Sequence, residues 1–397
     1  MMTSLRIGLI GLGSVGKGLF DIIQSRPDLH VEIKRICVKD LTKHRDVPAS
    51  LITGDVSELI NNSEIDAIVE LIDDADAAFA IASAAMRQGK AVVSANKRMV
   101  ATRLHELIAL QQETQQSLLY EASTCASIPI IRNLEEYYTN GLLTSVTGIV
   151  NGTTNYILTR LTSAAGSNFG YIDALGEAQE KGFAESDPTL DVEGFDAVFK
   201  STILAKHAFG ALIDPSTVIR RGIAQVNSFD ITFAASQGFV IKHLAHIEER
   251  NSNELSVYAM PTFVLNSNPI SWVSYEINAV RLATVAPDAQ LLAGRGAGGI
   301  STACAVLSDL SMLRHNYRYT YRKGLGGKGP TLSNDVTVRA YVRGNEAMIN
   351  SVRWIQRQID VRSIEANFVI GSVNLQALAD SPAFRDTDTF VGMWSSE

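Results

Sequence analysis

Gly11-Leu12-Gly13-Ser14-Val15-Gly16 has the spacing G-x-G-x-x-G and lies between a predicted strand, Leu5–Leu9, and a predicted helix, Val15–Gln24. The first glycine permits a tight turn, the second lets a ligand approach the backbone, and the third lets the helix pack against the strand. The helix N-terminus at Ser14 and Val15 offers free N–H groups and a partial positive charge to phosphates. The stretch therefore predicts that Gly11, Gly13, Ser14, Val15 and Gly16 bind the pyrophosphate of a dinucleotide.

The next segments alternate between predicted strands and helices. The strands are Val31–Val38, Ala67–Ile72, Ala91–Ser94 and Ser117–Glu121, and the helices include Ala77–Arg87 and Leu104–Gln112. Strands separated by helices in this way form parallel sheets. The predicted fold class is therefore α/β, with a doubly wound parallel-sheet (Rossmann) dinucleotide domain over residues 1–130.

The pattern changes after Pro129, and an inserted α+β domain is predicted over residues 131–294. Its strands are Leu143–Val150 and Val257–Leu265, and its helices are Tyr171–Lys181, Phe195–Phe209 and Phe239–Glu248. The helix Gly299–Leu313, within residues 295–323, is expected to pack back onto the first domain. Gly324–Pro330 is predicted to be a linker. Residues 331–397 are predicted to form a small C-terminal appendage with a helix at Glu346–Gln356.

Composition excludes several classes of protein. The 397 residues carry a formal net charge of −7 without a long Lys/Arg run, so no nucleic-acid partner is expected. No apolar stretch approaches the ~18–20 residues that cross a bilayer, so no membrane partner is expected. Three cysteines without a Cys-x-x-Cys pair fit a reducing compartment, and the N-terminus runs directly into the first predicted strand. A cytoplasmic location is therefore expected.

The end of the second predicted strand bears on the choice of cofactor. Lys39 and Asp40 are adjacent there. An acid at this position binds the ribose hydroxyls of NAD, whereas a cation accepts the 2′-phosphate of NADP. Both cues are present, so the cofactor is expected to be NADP or NAD, with a lean to NADP because Lys39 comes first.

The segment Gly182–Lys200 carries the candidate chemistry. Glu185 and Asp191 lie in a predicted loop, where carboxylates suit the capture of a substrate ammonium. Asp196 and Lys200 are four residues apart on the following helix and share a face. A lysine held beside an aspartate suits proton delivery to a carbonyl oxygen. On spacing alone, a solvated acidic loop with an ordinary ion pair explains the segment equally well.

The chain as a whole resembles homoserine dehydrogenase. The matching pieces cover about the first four-fifths of the chain: the glycine fingerprint, Ser94–Lys97, Tyr120–Ser123, Ile128–Ile131, Gly148–Leu158, Gly182–Lys200 and Gly294–Gly298. The resemblance implies hydride transfer between NAD(P)(H) and a substrate pair, L-aspartate 4-semialdehyde and L-homoserine. It also implies a homodimer, with the inserted domain serving substrate binding and dimerisation.

The same resemblance implies roles for individual residues. Lys200 is the proton donor or acceptor, Asp196 supports it, and Lys97 lies near substrate and nicotinamide. Glu185 and Asp191 bind the substrate amino group, and Asn151, Gly152 and Thr153 line the pocket. Asn96 and Gly298 join the cofactor site. A sodium ion is implied at Glu121, Thr124, Ala126 and Ile128, where oxygen-only ligation suits a hard cation.

The sequence departs from the family pattern in three places. Asp73-Asp74 replaces a Gly-Gly pair, and two carboxylates there repel a pyrophosphate unless they point to solvent. Thr124–Ser127 replaces a glycine-rich run. The tail has no convincing duplicate of a strand–helix–strand unit, which predicts a truncated ACT-like cap or a different cap. These departures keep two alternatives open: another Rossmann amino-acid or semialdehyde reductase, and a catalytically weak dinucleotide-binding regulatory relative.

Two further patterns are interpreted as structural. His243 and His246 are three apart on the predicted helix Phe239–Glu248, but no third metal ligand is near them in sequence. The alternation Tyr317–Arg322 predicts a strand with one aromatic face.

Overall fold

The computed structural model describes residues 4–286, 289–324 and 329–395. Its strands, in chain order, are β1 Leu5–Ile10, β2 Val31–Cys37, β3 Ile52–Thr53, β4 Ala67–Glu70, β5 Ala91–Ser94, β6 Leu118–Leu119, β7 Leu143–Ile149, β8 Ile219–Arg220, β9 Phe239–Asn251, β10 Glu254–Leu265, β11 Ile277–Thr284, β12 Ala289–Arg295, β13 Thr331–Leu332, β14 Thr337–Arg343, β15 Trp354–Arg362, β16 Asn367–Asn374 and β17 Phe390–Trp394.

The helices are α1 Ser14–Ser25, α2 Ser57–Ile60, α3 Ala75–Arg87, α4 Lys97–Thr114, α5 Ile130–Arg132, α6 Gly152–Ser163, α7 Tyr171–Glu180, α8 Thr189–Val192, α9 Phe195–Phe209, α10 Ser228–Ser236, α11 Gly299–Leu313, α12 Glu346–Ser351, α13 Leu375–Ala379 and α14 Pro382–Arg385. The chain divides into two compact units. One comprises Met1–Thr139 with Arg295–Arg322, and the other comprises Asn140–Gly294 with Lys323–Glu397.

The first unit contains a six-stranded parallel sheet in the order β3-β2-β1-β4-β5-β6. This order is that of a Rossmann sheet, so the predicted fold class is confirmed. Ile7, Leu9, Ile68, Val69 and Val92 are fully buried in it. Parallel strands covered by helices on both faces bury every side chain, which explains their nearly continuous apolar sequences.

The second unit contains a mixed sheet in the order β12-β11-β7-β9-β10-β17-β14-β16-β15. β9 and β10 form its long antiparallel centre, with Leu265 opposite Phe239 and Leu255 opposite Glu249. Helices α6 and α9 pack against β9. An apolar cluster from α6, α7, α10 and the sheet, which includes Ile157, Ala178 and Ile241, forms the core.

The C-terminal segment completes this sheet instead of forming an appendage of its own. It has the order β14-α12-β15-β16-α13-α14-β17 along the chain, a complete βαββαβ unit, so the expectation of a truncated cap is wrong. β17 pairs in parallel with β10 and thereby joins the unit to the central strands. The rings of Phe233 of α10 and Phe368 are tilted by 52°, with centroids 4.7 Å apart, and the Arg343 guanidinium donates to the buried Asp230 carboxylate at 2.7 Å.

Three predicted elements differ in the structure. Phe239–Glu248 lies in strand β9, not in a helix, and His243 and His246 therefore point to opposite faces of the sheet. The predicted helix Glu346–Gln356 ends at Ser351, and β15 begins at Trp354. Residues 317–322 form no strand. Instead, Tyr319 and Tyr321 are buried, and the Tyr321 hydroxyl lies 2.9 Å from that of Tyr120.

Residues 325–328 of the predicted linker lie outside the described residues. Within the described ranges, none of the helices combines the length and the apolar character that a membrane crossing requires.

Candidate active site

The glycine fingerprint forms a cradle at the carboxyl end of β1. Gly11 has φ +95°, and a Cβ there would lie 2.5 Å from the Leu71 carbonyl oxygen. A Cβ on Gly16 would lie 2.2 Å from the Gly11 carbonyl oxygen. Packing within the protein therefore requires glycine at both positions. A Cβ on Gly13 would meet nothing within 4 Å, so this glycine faces space that a ligand can occupy.

Two helix N-termini lie side by side at this cradle. α1 begins after Gly13, and α11 begins after Gly298, which has φ +110°. Neither N-terminus has a side-chain cap, and a Cβ on Gly299 would lie only 2.7 Å from the Ser14 carbonyl oxygen. Uncapped N–H groups and aligned peptide dipoles favour an anion. The residues present therefore fit the pyrophosphate of a dinucleotide.

The loop after β2 places Lys39 and Asp40, the two residues that could contact the adenosine ribose, in different surroundings. The Asp40 carboxylate accepts hydrogen bonds from the backbone N–H and the hydroxyl of Thr42, at 2.8 and 2.6 Å. Hydrogen bonds from Thr42 hold the pKa of Asp40 below its ordinary value. Lys39 is exposed, and Lys43, His44 and Arg45 follow on the same loop. Lys39, Lys43 and Arg45 outnumber the two acids of the loop, Asp40 and Asp46, so the loop is basic, and Asp40 is engaged locally.

Asp73 and Asp74 do not crowd the cradle. Both are exposed, and the Asp74 carboxylate caps α3 by accepting from the N–H groups of Asp76 and Ala77 at 3.1 and 3.0 Å. A helix N-terminus stabilises such a charge. Both carboxylates thus point to solvent. Repulsion of a bound pyrophosphate by them is therefore not expected.

Asn96 and Lys97 open helix α4. The Asn96 side chain caps the helix by accepting from the Met99 N–H at 2.8 Å, and Lys97, half-buried, is its first residue. Beside them lies Glu70, a buried acid at the end of β4 that the sequence analysis did not select as a site residue. Its only sequence signal is an acid that ends an otherwise apolar strand.

In the second unit, Lys200 and Asp196 form a buried pair on α9. Lys200 Nζ lies 2.8 Å from Asp196 Oδ2 and donates to the Val150 carbonyl oxygen at 2.6 Å. Asp196 is 1% and Lys200 5% exposed. The alternative of an ordinary solvated ion pair does not describe these two side chains. A buried pair of this kind holds each group in one geometry.

Asn151 connects this pair to the loop before it. Its side-chain amide donates to Asp191 Oδ1 at 2.7 Å and to Asp196 Oδ2 at 2.9 Å, while its oxygen caps α6. The Thr153 hydroxyl lies 3.2 Å from Asp191 Oδ2. A Cβ on Gly152 would lie 2.8 Å from the Glu276 carbonyl oxygen, so glycine is required there. The structure brings five predicted residues into one network: Asn151, Thr153, Asp191, Asp196 and Lys200.

Glu185 lies outside this network. It is exposed, and its backbone carbonyl accepts from the Gln179 side chain at 3.0 Å. Asp187, on the same loop, turns its carboxylate onto the Thr189 N–H and hydroxyl.

The segment predicted to hold sodium is a buried turn. The Glu121 carboxylate accepts from the backbone N–H groups of Ile131 and Arg132 at 2.7 and 2.9 Å. Burial raises the pKa of Glu121, against the lowering effect of these N–H groups. Ala126 has φ +40°, a conformation that favours glycine. In the described ranges, no three His, Cys, Asp or Glu side chains form a group that could hold a metal ion.

A Rossmann sheet with an open anion cradle, in a chain that also holds a buried lysine–aspartate pair, defines a dinucleotide-dependent oxidoreductase. Comparison with known proteins narrows this class. The family model for the NAD-binding domain of homoserine dehydrogenase matches residues 11–121, and the homoserine dehydrogenase model matches residues 129–311. The homoserine dehydrogenase of Bacillus subtilis is 39% identical over 326 residues, which cover 80% of this chain and 74% of that protein.

Solved structures agree with these matches. A homoserine dehydrogenase from Thiobacillus denitrificans has a TM-score of 0.86 and 26% identity, and the alignment covers 99% of this chain and 98% of that one. A hyperthermophilic archaeal homoserine dehydrogenase in complex with NADPH shares the fold, with a TM-score of 0.67 and 23% identity over 80% of this chain and 99% of that one.

The chain belongs to the homoserine dehydrogenase family. It is an NAD(P)-dependent oxidoreductase that interconverts L-aspartate 4-semialdehyde and L-homoserine in amino-acid biosynthesis. The predicted function is confirmed, and the two alternatives, another reductase and a weakly catalytic relative, are set aside.

Proposed function

We propose that Lys200 exchanges the proton at the reacting oxygen of the substrate and that Asp196 holds it in place. The buried contact of Lys200 Nζ with Asp196 Oδ2 and the Val150 carbonyl carries this proposal. An ammonium has three N–H donors. Within the described part of the chain, Asp196 Oδ2 and the Val150 carbonyl accept two of these N–H groups of Lys200. The third N–H remains for a substrate oxygen. Turnover of Lys200→Ala with homoserine tests the proposal.

The proton and hydride steps balance with these residues. When homoserine is oxidised, its C4 loses a hydride and its C4 hydroxyl loses a proton. The oxidised dinucleotide, when bound, would accept this hydride at its nicotinamide C4. Lys200, in its neutral amine form, takes the hydroxyl proton onto Nζ, and Asp196 and the Val150 carbonyl stabilise the ammonium that results. In the reducing direction the same ammonium returns the proton to the aldehyde oxygen.

We further propose that Asp191 and Glu185 receive the substrate ammonium and that Asn151, Gly152 and Thr153 line its pocket. The Asn151 amide donates to the Asp191 carboxylate and orients it, while the Thr153 hydroxyl bonds to the Phe183 carbonyl at 2.6 Å and lies 3.2 Å from Asp191 Oδ2. Glu185 is exposed on the loop that precedes α8, so its charge is accessible to a ligand.

Glu185→Gln should raise the KM for homoserine by about tenfold while the KM for the dinucleotide changes little. A carboxylate–ammonium hydrogen bond contributes about 1.5–3 kcal/mol, and the amide removes its charge. Steady-state kinetics with each substrate varied in turn measure the two constants. Asp187→Asn is the matched control, because that carboxylate bonds to its own turn. Equal effects of Glu185→Gln on both KM values would contradict the assignment.

We propose NADP(H) as the preferred dinucleotide, held by Gly11, Gly13, Ser14, Val15, Gly16, Asn96, Lys97 and Gly298, with Lys39 at the 2′-phosphate. The basic loop around Lys39 and the engagement of Asp40 by Thr42 support this preference. The NADPH complex of the archaeal homoserine dehydrogenase is consistent with it.

Lys39→Ala should weaken NADPH binding about tenfold or more and leave NADH binding nearly unchanged. A charge-assisted hydrogen bond to phosphate contributes about 1.5–3 kcal/mol, which NADH cannot form at this position. Dissociation constants of both cofactors for the wild type, Lys39→Ala and Asp40→Ala provide the measurement. If Asp40→Ala selectively weakens NADH while Lys39→Ala has no effect, then Asp40 grips the ribose and the preference is for NAD.

We also propose that carbonyl oxygens of Glu121, Thr124, Ala126 and Ile128 hold a sodium ion. The Glu121 carboxylate is occupied by N–H donors, so carbonyl oxygens of the turn are the ligands that fit. The positive φ of Ala126 supports the turn as the place where the backbone approaches an ion. Turnover at constant ionic strength, with sodium replaced by choline, tests this site.

A homodimer through the second unit and a cytoplasmic location complete the proposal. α9 packs on one face of β9 and β10, while His246 and Tyr258 stack on the other face with ring centroids 4.7 Å apart. That second face suits a second copy of the chain, and sedimentation equilibrium would then give twice the 43.0 kDa of one chain. Cys37, Cys125 and Cys304 form no disulfide with one another, as a reducing compartment favours.

A further inference from the structure

Glu70 is a buried acid that the proposed chemistry does not use. It ends β4 of the Rossmann sheet, one strand from β1, and it is 0% exposed. The neighbouring strand β5 ends at Ser94, which is also 0% exposed and leads into Asn96 and Lys97. An unpaired carboxyl group is costly to bury, so its hydrogen bonds define what it does.

These side chains close a ring of four hydrogen bonds. The Ile72 N–H donates to Glu70 Oε1 at 2.7 Å, and the Asn96 side-chain amide donates to the Ile72 carbonyl at 2.9 Å. The Asn96 N–H donates to Ser94 Oγ at 3.0 Å, and the Ser94 hydroxyl donates to Glu70 Oε2 at 2.5 Å. The ring joins the loop after β4 to the loop after β5.

We propose that Glu70 is a positioning residue that fixes the Asn96–Lys97 turn against the end of β4, and that its ionised form is the one that orders this part of the dinucleotide site. The inference rests on the proposed role of Asn96 and Lys97 in cofactor binding. Glu70 acts through Ser94 and Asn96 and does not itself touch the ligand.

The hydrogen bonds explain why the ionised form matters. Ser94 has one O–H donor, and the Glu70 carboxylate is its acceptor. When Glu70 is protonated, the carboxyl group becomes a donor to Ser94 Oγ. This bond is then reversed, and the Ser94 hydrogen no longer points at a Glu70 oxygen. A buried donor without an acceptor favours rearrangement of the loop.

The environment of Glu70 places this change in an accessible pH range. Burial raises the pKa of Glu70 to about 7, the bonds from Ser94 and Ile72 lower it, and the negative charge of Asp73 raises it. Since the pKa of Glu70 is raised from 4.5 to about 7 on folding, its stabilising contribution is full below about pH 4.5 and is lost as the pH rises to about 7. The ionised form of Glu70 therefore orders the loop, although it contributes less to the stability of the fold than the protonated form.

Glu70→Gln imitates the protonated form and gives the decisive experiment. We expect the dissociation constant of NADPH for the wild type to rise about fivefold from pH 8.5 to pH 6, the scale of one lost hydrogen bond. In Glu70→Gln the constant at pH 8.5 should equal the low-pH wild-type value, and the step near pH 7 should disappear. Infrared difference spectra of the ligand-free protein should show a protonated carboxyl band that the variant lacks.

Glu135→Gln is the matched control, because Glu135 is a buried acid of the same unit that accepts from the Thr320 and Tyr321 N–H groups. It should keep the step in NADPH binding. The same titration with NADH separates the step from ionisation of the 2′-phosphate. A Glu70→Gln variant that retains the wild-type step, or binds NADPH normally at pH 8.5, would overturn the proposal. Normal kinetics of Lys97→Ala would instead contradict the proposed role of Lys97 in cofactor binding. The pH dependence of NADPH binding would still test the role of Glu70.

Discussion

Lys200→Ala should lower turnover with homoserine by about 10²-fold or more, the usual contribution of a positioned acid–base group. The KM for the dinucleotide should remain close to that of the wild type, because Lys200 is not among the residues proposed to hold the dinucleotide. The variant should also be less stable. Removing one partner of a buried ion pair leaves the other charge unpaired, at a cost of about 3–5 kcal/mol, and here Asn151 still bonds to Asp196.

Two further variants separate proton transfer from stability. Lys200→Arg keeps a positive charge near Asp196 but cannot release a proton at neutral pH, so its turnover should be as low as that of the alanine variant. Lys206→Ala removes another buried lysine of α9, which bonds to the carbonyls of Gly210 and Lys323, and should lower the melting temperature while turnover persists. If Lys200→Ala kept near-normal turnover, another group would have to move the proton.

The sequence predicts the Rossmann unit well because its signals are local. Each parallel strand is covered on both faces and reads as an apolar run, and the glycine fingerprint marks the first turn. The spacing of Asp196 and Lys200 predicts a shared helix face for the same reason. Their burial is not a local property, and neither is the link through Asn151, which is 45 residues from Asp196.

The elements that sequence reasoning missed depend on distant partners. The apolar pattern of Phe239–Glu248 fits a helix. The segment is a strand because β10 pairs with it over its whole length. Trp354–Arg362 is mostly exposed, so no buried apolar run marks it as a strand in the sequence. Its pairing with β16 makes it a strand and completes the βαββαβ unit. Glu70 was missed because a buried acid becomes informative only once its hydrogen bonds are seen.

Gly13→Val should leave the fold intact and weaken dinucleotide binding by about 10²-fold or more. Gly13 has φ −80°, which valine adopts readily, and a Cβ there meets no protein atom within 4 Å. A valine side chain would fill the space in front of the α1 N-terminus, where phosphate accepts charge-assisted hydrogen bonds worth about 1.5–3 kcal/mol each. Displacement of two such bonds gives the expected loss.

Thermal unfolding with and without NADPH measures both parts of this expectation. A ligand that binds only the folded state raises its melting temperature. The wild type should therefore gain stability from NADPH, whereas Gly13→Val should melt like the ligand-free wild type in either condition. Gly11→Ala provides the contrast, since its Cβ would lie 2.5 Å from the Leu71 carbonyl oxygen and should destabilise the ligand-free protein. If Gly13→Val still gained stability from NADPH, the pyrophosphate would bind elsewhere than at the open face of this glycine turn.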